Sequence, residues 1–173
     1  WKGLVIEPLP NMYERLVSNY QDHPNVIPLN IAIHPSSKTA PIYHVDNELL
    51  CKYPDCVAGI ASMNKEHLLN AGIAVADISA QIVQCKTIME VLDEYDFYDV
   101  DLLQIDTEGF DFEVIKTIDF KKLKPRLIKF EWMNLSASDQ SNVSALLIQH
   151  GYKIDVEKDG SDCIAWLANK VTF

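Results

Sequence analysis

Apolar residues along this chain gather in short runs, and the stretches between them carry helical spacing. Residues 3–8 read as a short buried strand that ends in a carboxylate, Glu7, and is stopped by Pro8. Asn11 is placed to cap a helix whose apolar positions Met12, Leu16, Val17 and Tyr20 follow the helical period. Residues 26–33 predict a second strand and 42–45 a third, less buried one. The pattern weakens over 46–80, where 51–63 reads as a loop and 65–71 as a short helix closed by Gly72. Residues 81–87 alternate like a strand, and 88–95 form a short helix.

The second half repeats the alternation more clearly. Strands are expected at 101–105 and 126–132, with a helix at 110–118 between them. An amphipathic helix over 138–150 is closed by Gly151, at the C-terminal position glycine prefers. Residues 152–156 and 163–168 then flank a Lys158-Asp159-Gly160 turn, which predicts an antiparallel hairpin. Strands alternating with helices indicate an α/β fold with a mostly parallel sheet covered on both faces. No internal repeat, low-complexity tract or linker interrupts it, so residues 1–173 are expected to form a single domain.

Within that pattern one segment combines burial with chemistry. The apolar run Leu102 to Ile105 ends abruptly in Asp106-Thr107-Glu108-Gly109, and a helical pattern begins at once. In open α/β sheets ligands bind beyond the carboxyl ends of the strands. Carboxylates placed there can orient a hydroxyl, accept a proton or hold a cation. The purely structural alternative is that Asp106 caps the helix and Gly109 eases the turn.

Composition narrows the partners. A formal charge of −10 argues against nucleic acid, which needs a basic face. The cluster Lys121, Lys122, Lys124 and Arg126 reads as a solvated helix end. No run reaches the roughly 18–20 apolar residues that cross a bilayer, and no signal-peptide pattern opens the chain, so no membrane partner is expected. The four cysteines, at 51, 56, 85 and 163, lack a CxxC pair, so no metal is expected and reduced thiols in a cytoplasmic protein are the reading.

Taken in order, Val5-Ile6-Glu7-Pro8, Asn30 to Ile33, Ile105-Asp106-Thr107-Glu108-Gly109 and Ile128-Lys129-Phe130-Glu131 resemble the FkbM family of methyltransferases. The resemblance runs from residue 3 to about 168, and Gln104 departs from the lysine often found there. It implies a Rossmann-like sheet, S-adenosyl-L-methionine as cofactor, and O-methylation of a hydroxyl on a small molecule or sugar. By the same resemblance Glu7 accepts hydrogen bonds from the two ribose hydroxyls, while Asn30, Ile31 and Ala32 lie beside the adenine. Asp106 stands where methyl donor and acceptor meet, mainly to position the acceptor, with general base as a second role. Glu108 either reaches the same crevice or caps the following helix. Glu131 and Trp132 end the next strand, where they line the acceptor side or, for Trp132, pack in the core.

The class also has a first strand followed by a glycine-rich turn, and this sequence carries neither. Its six glycines, at 3, 59, 72, 109, 151 and 160, form no GxG, and Trp1 stands directly ahead of the family's second strand. The expectation is an N-terminally incomplete portion of a longer protein, lacking a central strand. Two alternatives stay open: a non-catalytic Rossmann-like interaction module, and a metal-dependent nucleotide-sugar transferase using Asp106 and Glu108.

Overall fold

The structure, a computed structural model, describes residues 2–167, which gather into two compact units meeting in sequence at Thr87 and Ile88. In the first unit, β1 (Gly3–Ile6) pairs in parallel with β2 (Val26–Leu29), with Val5 opposite Pro28. Helix α1 (Pro10–Asn19) connects them. Its N-cap is Leu9 rather than Asn11, because Pro10 takes the first helical position, where its missing N–H costs nothing. The Asn11 side chain instead accepts from the N–H of Met12 at 3.0 Å.

The predicted strand over 26–33 is broken in two. Asn30 and Ile31 leave the ladder, and Ala32–Ile33 forms a separate strand, β3, that pairs in parallel with Cys85 and Lys86. These belong to β5 (Ile78–Lys86), which runs antiparallel to β4 (Thr39–Val45). The strand expected to be the less buried one thus begins earlier and buries Ala40, Ile42 and Val45. Leu9, Ala32, Ile42, Val83 and Cys85 close one apolar cluster, against which Met12 packs. A second cluster joins Val45 to Val57, Leu68 and Ile73. Val57 comes from residues 51–63, which hold parts of two 3₁₀ turns rather than plain loop. Leu68 lies on α2 (Lys65–Asn70), whose first turn is capped by the Asn64 side chain accepting from Glu66 N–H.

The second unit opens with α3 (Ile88–Tyr95) and a sheet in the order β6 (Leu102–Ile105), β7 (Leu127–Glu131), β9 (Asp162–Leu167), β8 (Tyr152–Val156). Strands β6 and β7 are parallel, with Ile105 opposite Phe130, while β9 runs antiparallel to both β7 and β8. The expected C-terminal hairpin is therefore present, apart from Ala168, which lies outside the described residues. Ile128 and Phe130 on β7 are fully buried, as are Cys163 and Ala165 on β9. Full burial of each large apolar side chain stabilises by about 1.5–3 kcal/mol. Helix α5 (Ala137–Gln149) packs on β8, its first turn capped by Ser136 accepting from Asp139 N–H. Helix α4 is only Asp111–Ile115, shorter than the 110–118 expected, and it packs on α5.

The fold is α/β, but its sheets are mixed rather than mostly parallel. Among the described residues three strand pairings are parallel and three antiparallel. No helix among them is long and apolar enough to cross a membrane.

Candidate functional site

In the first unit the chain beyond β1 is held from two directions. Glu7 N–H donates to Leu29 O at 3.0 Å, which extends the β1–β2 ladder by one residue. The amide group of Asn30 donates to the carbonyls of both Glu7 and Pro8, at 2.9 and 3.0 Å. Its hydrogens are thereby committed to bracing the turn. The half-buried Glu7 carboxylate accepts from Leu9 N–H through Oε1 at 2.8 Å. Burial pushes its pKa up, partly offset by that bond. Ala32, expected beside a base, places its methyl group in the apolar cluster and is 4% exposed; Ile31 is half-buried.

In the second unit carboxylates gather at the carboxyl ends of β6 and β7. Asp106 follows the buried Ile105 and is exposed to solvent. Glu108 and Gly109 both take left-handed backbone conformations, with φ of 52° and 88°. That conformation suits glycine but costs a glutamate on the order of 1 kcal/mol. It makes a tight reversal between strand and helix. The N-cap position of α4 is Phe110 and no side chain caps it, so neither Asp106 nor Glu108 has the capping role considered for them. Glu108 Oε2 instead accepts from the Asn134 amide at 3.2 Å.

Asp111 holds this reversal together. Its side chain is 0% exposed. Oδ2 accepts from Thr107 Oγ1 at 2.8 Å and from Thr107 N–H at 3.3 Å, and Oδ1 accepts from Glu131 N–H at 3.1 Å. One buried carboxylate thus fastens the end of β6 to the end of β7. Burial pushes its pKa up, and the three donors counter that shift. A signal for it was present: Asp111 stands three, four and seven residues ahead of the buried Val114, Ile115 and Ile118, so the helical period puts it on their face.

Glu131 closes β7 beside this group. Its Oε2 is buried and meets no hydrogen-bond donor. Its pKa is pushed up to about 7, first by burial, with a contrary pull from the Asn134 side chain and further upward pressure from Glu108, Asp106 and Asp111. Trp132 is half-buried, its ring tilted against Phe130 at 6.2 Å. Among the described residues no three His, Cys, Asp or Glu side chains converge as a metal site, so Asp106 and Glu108 gain no third ligand.

All four cysteines are unpaired, Cys51 and Cys56 exposed, Cys85 and Cys163 buried. Comparison with curated proteins and with solved structures finds no significant match. The sequence profile of the methyltransferase FkbM domain, however, matches residues 1–154, nearly the whole of the chain, including Glu7, Asp106, Asp111 and Glu131. The chain therefore belongs to the FkbM methyltransferase domain family.

Proposed function

We propose that this methyltransferase uses S-adenosyl-L-methionine to methylate a hydroxyl oxygen of a small molecule or sugar. The observation that carries the reading is the group of carboxylates at the carboxyl ends of the parallel strands β6 and β7, in a chain of this family. The residues suit such a cofactor. Glu7 keeps a second carboxylate oxygen beyond the one held by Leu9, and a carboxylate matches a vicinal diol. The carboxylates of Asp106, Glu108 and Glu131 suit a cationic sulfonium by their sign, since opposite charges attract. Bound, the cofactor supplies the electrophilic methyl group.

This chain's residues then do the rest. Transfer would form a bond from the hydroxyl oxygen to the methyl carbon as the sulfur–methyl bond breaks with its electron pair left on sulfur, and the hydroxyl proton would pass to a carboxylate of this chain. Asp106, exposed at the end of β6, accepts a hydrogen bond from the acceptor hydroxyl and aims its oxygen. Alignment alone lowers such barriers by roughly 7–11 kcal/mol, more than a single base contributes. Glu108, held by Asn134, adds a second acceptor on the same reversal. Asn30 acts through Glu7 by bracing its turn, and Ile31 offers a partly apolar neighbour for the adenine.

Calorimetry on the full chain checks this. Glu7→Gln removes a charge and an acceptor from bonds worth about 1.5–3 kcal/mol, so affinity for S-adenosyl-L-methionine should fall roughly 10–150-fold. Asp106→Asn should lower turnover far more than cofactor affinity. Wild-type protein that binds no S-adenosyl-L-methionine would favour the interaction-module reading instead.

A further inference from the structure

We infer that Glu131 receives the proton of the acceptor hydroxyl, through the buried Oε2 that no protein donor meets, and that Asp106 is left to aim that hydroxyl. This rests on the methyl-transfer reading. A buried carboxylate oxygen without a donor is costly unless it carries a proton or receives one from a ligand. Its neighbours hold the end of β7 without satisfying that oxygen. Asp111 Oδ1 accepts from the Glu131 main-chain N–H, and the Asn134 amide bonds both the Glu131 and Glu108 carboxylates.

The charged groups around it are almost all of one sign. Glu108 and Asp106 come from the β6–α4 reversal and Asp111 from α4. Across the β7–β9 ladder Glu131 faces Asp162, which Lys129 meets at 2.8 Å, so that charge is already paired. Burial and these neighbours raise the affinity of Glu131 for a proton to the point where it exchanges near pH 7. An acid–base group works best when its pKa lies near the working pH. Asp106, exposed to water, lacks that burial.

A base at the transfer centre must feel the cofactor's charge, which gives a test needing no acceptor. S-adenosyl-L-methionine and S-adenosyl-L-homocysteine differ in one respect that matters here: the first carries a positive sulfonium, the second a neutral thioether. A cation nearby lowers the pKa of Glu131, so at pH 7 the sulfonium should expel a proton that the thioether does not. A drop of about one unit releases roughly 0.4 proton per chain. Calorimetry of the full chain in two buffers of different ionisation enthalpy reads this directly. The excess release should be present in the wild type and in Asp106→Asn, and absent from Glu131→Gln although that variant binds both ligands.

Carboxyl carbon-13 spectra of the unsubstituted chain give the same reading without a variant: one glutamate with a midpoint near 7 that falls with the sulfonium ligand alone. Equal proton release by the two ligands, or an excess that survives Glu131→Gln, would overturn the assignment while leaving methyl transfer intact. Binding of neither ligand to the wild type would overturn the methyl-transfer reading and this assignment with it.

Discussion

The raised pKa of Glu131 sets a sign for stability against pH. Folded, its carboxyl holds a proton up to about pH 7, whereas the unperturbed group loses it around 4.5. Between those values the folded chain binds more protons than the unfolded one, so stability from this group is full below about 4.5 and declines as pH rises through 7. Glu131→Gln has no proton to lose. Its stability relative to wild type should therefore improve by roughly 1–2 kcal/mol between pH 5 and pH 8, taking about 1.4 kcal/mol per unit and halving for partial exposure. Urea unfolding of both proteins at the two pH values checks this, and an unchanged difference would mean that Glu131 titrates as an ordinary carboxyl. The same burial that lowers stability at neutral pH is what suits the side chain to proton exchange.

At the scale of elements, the join between β6 and β7 depends on one side chain. Asp111→Asn keeps the volume but turns one acceptor into a donor, so it can serve Thr107 or Glu131 N–H and not both. One buried donor is left unsatisfied in either orientation, at about 1–3 kcal/mol. Denaturant unfolding should show that loss, together with faster amide exchange at Thr107 or Glu131; full protection at both would refute the clamp. The sequence showed this strand–reversal–helix and its acidic residues plainly, because an apolar run that stops at Asp106 and a glycine at 109 are both local signals. It did not show the clamp, because one donor that satisfies the Asp111 carboxylate lies twenty residues away. The division of 26–33 was hidden for a similar reason. The apolar pattern continues through Ala32 and Ile33, but the Asn30 side chain bonds back to Glu7 and Pro8, and β3 pairs with residues more than fifty positions later. Mixed strand directions have the same origin, since periodicity reports burial and says nothing of a neighbour's direction.

For the whole molecule, the distribution of thiols reports how completely each unit is closed. Cys51 and Cys56 are exposed, while Cys85 and Cys163 are 3% and 0% exposed. A thiol-exchange reagent should modify two cysteines per chain quickly under native conditions and the other two only after denaturation. Fast reaction of all four would mean that the clusters around β5 and β9 open readily. Strand order in the second unit also bears on biosynthesis. Strand β7 lies between β6 and β9, and β9 ends only at Leu167. A ribosome delivers β6, the acidic reversal and β7 well before β9. Until that last strand emerges, β7 has an open edge, and Glu131, at its end, lacks the Asp162 opposite it. The environment that would make Glu131 a proton acceptor is therefore complete only when the β8–β9 hairpin has been synthesised, so a nascent chain acquires that chemistry in one step and not strand by strand.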